Sequence, residues 1–403
     1  MLTSGEDADR DAPIAEQCAP LDPANATWRK ARLPSLAPST TAEQALADIV
    51  LGCVEHLRGN AACVMARAHE EGVHQMRVAV RRLRSCLALY ARFLPAEQHD
   101  HLVGELKWLI GELGPARDWD VFVGEILKPV LRQFEDGDDR LTDLGVQVER
   151  HRDEAYARAQ AAVASQRYVG LVLLLSSWAE GRGWRDATLA GQSTTLQTGA
   201  VHIAHDLLQH IYQDLLTAGE NFEQLDSEAR HKVRIQLKKL RYATEFFSTL
   251  YSKRKVTPYL AAMKALQDDL GTNNDVDVAK KLLRRALRGT RGKDRARLAY
   301  AAGLVVGWHG HVGDGREQQV VGAWHRLTAR APYWVMPIPG LARRRSHMEP
   351  IPQAMGEAAA SHQPAAASDG TAADPAEATA GDSAASSSVA RRRPAPARSV
   401  QRR

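Results

Sequence analysis

Residues 72–84 read Gly-Val-His-Gln-Met-Arg-Val-Ala-Val-Arg-Arg-Leu-Arg, and residues 229–241 read Ala-Arg-His-Lys-Val-Arg-Ile-Gln-Leu-Lys-Lys-Leu-Arg. Placing His74 on His231 sets an offset of 157 residues that holds without a gap for almost fifty positions. His74, Arg77, Leu83 and Arg84 recur as His231, Arg234, Leu240 and Arg241, Arg81 and Arg82 as Lys238 and Lys239, and Lys107 as Lys264. Further on, Leu113-Gly-Pro-Ala-Arg-Asp-Trp-Asp-Val121 recurs as Leu270-Gly-Thr-Asn-Asn-Asp-Val-Asp-Val278. The shared positions are charged and turn residues, not the Leu and Ala that any two helices share, so an internal duplication is the economical explanation.

At about 100° per residue, His74, Arg77, Arg81 and Arg84 fall within an arc of roughly 80°. Met76, Val80, Leu83, Leu87 and Tyr90 fall on the opposite side, so such a helix buries one face and keeps its cations off the core. The second copy sets Val233, Leu237, Leu240 and Phe247 behind His231, Arg234, Lys238 and Arg241. Each stripe covers about 15 Å of axis, a ladder long enough for several consecutive phosphates. Arg82 and Lys239 flank the stripes and widen them. No Asp or Glu occurs from Val73 to Arg92 or from Ala229 to Thr244, so the like charges repel unless an anion relieves them. An arginine fork grips two phosphate oxygens, and a lysine adds an adaptable point charge. The bland alternative is a solvated face, or pairing with acids on a neighbouring helix; two matched copies favour the anion.

The rest of the chain frames these units. Of 403 residues 44% are hydrophobic, enough for a real core, and Lys+Arg exceed Asp+Glu by only 53 to 48, so placement of charge matters more than its sum. From about Thr40 to Tyr333 apolar residues recur at helical spacing without strict alternation, which predicts an all-α region. Breaks near Gly72, Pro95, Gly114-Pro115, Gly137, Gly181 to Gly191, Gly219 to Asp226, Thr257-Pro258, Gly271 to Asn274, Gly289 to Gly292 and Gly313 to Gly315 predict roughly ten helices. Residues 1–38 and 345–403 read as disordered extensions, the second Ala/Ser/Pro-rich with the basic end Arg391 to Arg403. The expected organisation is therefore two pseudo-symmetric helical bundles within residues 39–335, comprising half-repeats 39–185 and 195–335.

Four cysteines (Cys18, Cys53, Cys63, Cys86) form no C-x-x-C pair, which fits free thiols in a reducing compartment. The acidic N-terminus is unlike a secretory signal, and the apolar run from Val169 to Trp178 is too short to span a bilayer, so a cytoplasmic protein is expected.

In His74 to Arg84, in His231 to Tyr242, and in Leu113-Gly114 with Arg117-Asp118-Trp119-Asp120-Val121, the chain resembles the CHAD family, the conserved-histidine α-helical domain, over about residues 40 to 332. The resemblance implies two similar helical bundles related by an approximate two-fold, with basic helices facing a shared cavity or groove. It also implies inorganic polyphosphate as ligand, held by His74, Arg77, Arg81, Arg82, Arg84 and Lys107 with His231, Arg234, Lys238, Lys239, Arg241 and Lys264, and association with polyphosphate granules. Asn274 replaces the arginine expected opposite Arg117, which makes Arg117 the weakest candidate for a carried-over contact. No Glu-x-Glu-x-Lys segment precedes the unit, so it looks like a stand-alone version of the family.

Rival chemistry finds less support. His202 and His205 stand at i, i+3 and suit a shared metal, but their partners at the offset are Ala45 and Asp48, and His309 with His311 stand at i, i+2; a structural or surface role is expected for all four. The first Asp of each pair Asp118/Asp120 and Asp275/Asp277 is expected to cap a helix start or to orient a stripe arginine, rather than bind metal. No phosphate-binding loop, nucleophile elbow or zinc helix occurs, so no catalytic residue, metal site or cofactor is expected. A metal-dependent phosphohydrolase remains the enzymatic alternative. A nucleic-acid backbone binder is the other, although the basic helices offer few aromatics to stack on bases.

Overall fold

The computed structural model describes residues 26–32, 34–134, 138–185, 195–311 and 317–335, without the side chains of 272–277, 310, 311 and 317. The expected disorder of residues 1–25 and 345–403, the basic end included, lies outside the described residues, as does the break at Gly313 to Gly315. The described chain is helical: α1 (Ala42–Arg58), α2 (Ala61–Met65), α3 (Glu70–Tyr90), α4 (Ala96–Val121), α5 (Lys128–Gln133), α6 (Asp139–Val163), α7 (Gln166–Glu180), α8 (Ala200–Ala218), α9 (Ser227–Phe246), α10 (Lys253–Ala286), α11 (Gly292–His311) and α12 (Glu317–Thr328). Among the described residues no strand forms, only an isolated bridge between Thr41 and Gly199 at the starts of α1 and α8.

Both stripe helices begin on a side-chain cap one turn before their histidine. The His69 imidazole Nδ1 accepts from the Glu71 N–H at 3.0 Å, and the Asp226 carboxylate accepts from the Ala229 N–H at 2.8 Å, each relieving an N–H with no partner inside its helix. Behind the stripes, Met76, Val80, Leu83, Leu87 and Tyr90 on α3, and Val233, Leu237, Leu240 and Phe247 beside them in the second copy, are fully buried. Each such side chain contributes about 2 kcal/mol by leaving water. Helix α3 packs on α1 and α4, α9 packs on α8 and α10, and α3 meets α9 directly. The starts of α3 and α4 at residues 70 and 96 and those of α9 and α10 at residues 227 and 253 stand apart by the same offset as the sequence motifs.

Several expected breaks are not breaks. Gly114-Pro115 lies inside α4, Gly271 to Asn274 inside α10, and Pro258 near the beginning of α10. A proline costs the helix one hydrogen bond, here to the carbonyl of Gly111 or Arg254, and packing outweighs that cost: Leu113, Gly114, Pro115 and Ala116 are all buried. Consequently Asp118 does not cap a helix start. The N-terminal boundary also shifts, because Leu36 is buried and exchanges hydrogen bonds with the Thr249 hydroxyl at 2.9 and 3.1 Å.

After Val121 the backbone widens into a π-helical segment, Phe122–Leu127, before resuming as α5. It packs on α10, and the His309 imidazole Nε2 donates to the Ile126 carbonyl at 2.9 Å, which gives that histidine the structural role expected of it.

Where α3 meets α9, Arg82 donates to the Glu245 carboxylate at 2.6 Å and lies over the Phe246 ring, with its centroid 5.1 Å away. Arg82 is only 4% exposed. Glu245 also accepts from Arg241 at 2.5 Å, so replacing Arg82 with alanine removes one of its two cations and the packing on Phe246. We expect a loss of about 2 kcal/mol in urea denaturation, whereas Lys239→Ala at the equivalent exposed position changes stability by less than about 0.5 kcal/mol.

Candidate functional site

Between the two stripe helices lies a cavity of about 440 Å³. Helix α3 contributes His74, Arg77 and Arg81 to its lining, α9 contributes Arg234 and Lys238, and α4 adds Arg117 and Asp118. Among the described residues, five cationic side chains (Arg77, Arg81, Arg117, Arg234, Lys238) thus share the space with three carboxylates, Asp118, Glu125 and Asp268.

The stripe arginines are seated on glycine. A Cβ at Gly114 would stand 2.9 Å from an Nη of Arg77, and a Cβ at Gly271 would stand 3.3 Å from an Nη of Arg234. The Leu-Gly pairs, separated by the repeat offset, are therefore not helix breakers but the floor that lets each guanidinium lie close to the neighbouring helix. Arg77 also donates to the Ile110 carbonyl at 3.4 Å, yet its Nε is buried with no hydrogen-bond partner.

Burial among like charges disturbs the titration of this cluster. Burial, then the Arg117 charge, hold His74 down to about 4, which leaves the imidazole neutral at neutral pH. Burial, then Arg234, Arg81, Arg241 and Arg77, depress Lys238 to about 6. Burial lowers Arg77 to about 10 although Asp118 pulls it upward, and burial followed by Arg234 and Lys238 lowers His231. The cavity thus gathers cationic groups that their surroundings solvate poorly, which marks it as the candidate functional site.

Of the twelve residues expected to bind, five reach this cavity: His74, Arg77, Arg81, Arg234 and Lys238. Arg82 does not, because it is spent on Glu245, and that contact brings α3 and α9 together beyond Arg81. Arg84, past that junction, is half-buried outside the lining, and Arg241 stands behind it, donating to the side-chain carbonyl of Gln267, which does line the cavity, at 2.9 Å. Lys107, Lys239 and Lys264 are exposed elsewhere, and His231 is half-buried outside the lining. Conversely, Arg117, the weakest candidate by sequence, lines the cavity; the Leu113-Gly114 segment that carries it was the available signal for its place, though not for its approach to the basic helices. Asp118 lies in the lining beside it, while Asp120 is buried and accepts from Arg152 and the Tyr156 hydroxyl at 2.9 Å each. The side chains of Asn274, Asp275 and Asp277 lie outside the described residues. His205 contacts the Trp334 carbonyl at 2.8 Å, and among the described residues no three His, Cys, Asp or Glu side chains gather as a metal site.

An all-helical protein with a cationic cavity between two basic helices is the class that this geometry defines. The chain belongs to the CHAD family, whose domain model matches residues 48–284. Its fold is similar to the crystal structure of the CHAD domain from the plant Ricinus communis, 28% identical, with a TM-score of 0.63 over 76% of this chain and 98% of that one. PptA from Streptomyces chartreusis is similar in fold at 18% identity, with a TM-score of 0.54 over 71% of this chain and 100% of that one. No curated protein matches the chain. No helix among the described residues is long and apolar enough to cross a membrane.

Two expectations follow. Gly114→Ala should weaken anion binding more than Gly271→Ala, since the added methyl displaces Arg77 from the closer seat, while unfolding free energy moves by less than about 1 kcal/mol because alanine favours the helix; titration and denaturation of both variants check this. The depressed values also fix a pH dependence. The protein gains stability as pH rises from about 4 to 6.5 through His74 and from about 6 to 10.5 through Lys238, since the unfolded chain holds more protons in those windows. An anion raises both values again, so binding near neutral pH takes up on the order of one proton and tightens as pH falls towards 6, measurable by calorimetry in buffers of different ionisation enthalpy.

Proposed function

We propose that this protein binds inorganic polyphosphate, the phosphate chain lying in the cavity between α3 and α9. The observation that carries the reading is the convergence of Arg77 and Arg81 from one helix with Arg234 and Lys238 from the other, joined by Arg117, on one space of about 440 Å³. A chain with a negative charge on every unit relieves several of these cations at once, and guanidinium forks match its oxygens. The recessed placement favours a slender strand over a duplex: Arg77 is only 5% exposed, whereas a duplex is gripped by cations displayed on an open face. The reading is of a binding module without a catalytic step or cofactor, cytoplasmic, that serves in polyphosphate-granule association or phosphate metabolism.

Titration with long-chain polyphosphate, tripolyphosphate and duplex DNA at matched phosphate and several salt concentrations tests it. Polyphosphate should bind at least about tenfold more tightly than DNA; equal affinity sinks the assignment, and release of orthophosphate on adding a divalent metal establishes the phosphohydrolase instead. Charge reversal at Arg81 together with Lys238 should weaken binding by about a hundredfold or more, and reversal of Arg392 and Arg393 by much less. A larger effect from the tail would show that the cavity is not the site.

A further inference from the structure

The cavity has a wall for which a phosphate chain has no use. Val121, Phe122 and Ile126 line it from the end of α4 and the π-helical segment, and Val278, Ala279 and Leu282 line it from α10, which packs on that segment. These residues come from two elements that pack on one another, separate from the basic helices α3 and α9, and Phe122, Ile126, Ala279 and Leu282 are at most 8% exposed. Every unit of inorganic polyphosphate is polar, and lining part of its path with aliphatic and aromatic side chains adds desolvation without contact.

The repeat offset sharpens the point. It pairs Val121 with Val278, Phe122 with Ala279, and Glu125 with Leu282, so the wall is built twice but with unequal faces. A large ring stands in one copy where a methyl stands in the other, and a carboxylate stands in one copy where an isobutyl group stands in the other. Glu125 is exposed at the rim, so an anionic acceptor borders the apolar surface. A carboxylate there repels phosphate and suits an N–H donor. Along the helix, Glu125 lies eight residues beyond Arg117, about 12 Å, which is the reach from the phosphates of a nucleotide to the edge of its base. A π-helical turn at this wall is the kind of local widening that accompanies ligand sites.

We propose that this end of the cavity is a subsite for the base of a nucleoside polyphosphate, with the phosphates on the arginines of the two stripes, the flat base against Ile126 and Leu282, and an amino edge donating to Glu125. The proposal rests on the polyanion reading of the cationic half and adds to it the chemical class of a second ligand.

The test compares ATP with inorganic tripolyphosphate, which carry the same number of phosphates, on the full chain and on two variants. Wild-type protein should bind both. Leu282→Asn should weaken ATP by about tenfold or more and tripolyphosphate by less than about twofold. Glu125→Gln, on the exposed rim where the fold is indifferent to it, should weaken ATP by about three- to tenfold and leave tripolyphosphate unchanged or slightly tighter. Binding of tripolyphosphate without binding of ATP overturns the subsite, and so does an equal loss of both ligands in Glu125→Gln. Failure of wild-type protein to bind either ligand overturns the polyanion reading together with the subsite.

Discussion

Lys238 lies within reach of Arg234, Arg81, Arg241 and Arg77, and like charges so placed push the helices that carry them apart. The surrounding structure resolves that conflict. On the far side of each stripe, fully buried apolar side chains anchor α3 and α9 to their neighbours, and the repulsion is small beside the sum of those contacts. Where the helices meet, Arg82 and Glu245 add an attraction across the junction. Part of the conflict is relieved by chemistry: at neutral pH the depressed Lys238 ammonium gives up its proton, and His74 carries none.

The glycines at 114 and 271 belong to the same solution. A guanidinium can be held in a half-closed space only if the opposing helix offers backbone and not side chain at the point of approach, and glycine in mid-helix does so at a cost of about 1 kcal/mol in propensity. The guanidinium is thereby held close to the backbone of the neighbouring helix. Asp118 and Gln267 enter the cavity from the same two helices, so α4 and α10 shape the site as much as the basic helices do.

Although the two stripes match in sequence, their surroundings do not. Arg82 has Glu245 across the junction, but the offset places Ala88 opposite Lys239, and Lys239 stays exposed. The same asymmetry sets Phe122 and Glu125 against Ala279 and Leu282 in the cavity wall. Two helical segments alike in sequence are thus set in unlike surroundings.

The sequence alone determined the helical class, the face each basic helix buries, and the pairing of His74, Arg77 and Arg81 with His231, Arg234 and Lys238, because periodicity and charge are local properties of a helix. It misread Gly114-Pro115 and Gly271 as ends, since a glycine that seats a neighbour's arginine and one that stops a helix look alike until the neighbour is in place. Tertiary structure alone decided which cations share a space. A stripe 15 Å long by rise per residue meets its partner over only part of its length, so Arg77, Arg81, Arg234 and Lys238 converge, Arg82 becomes a strut, and Arg117 is recruited from a helix whose approach no local pattern encodes.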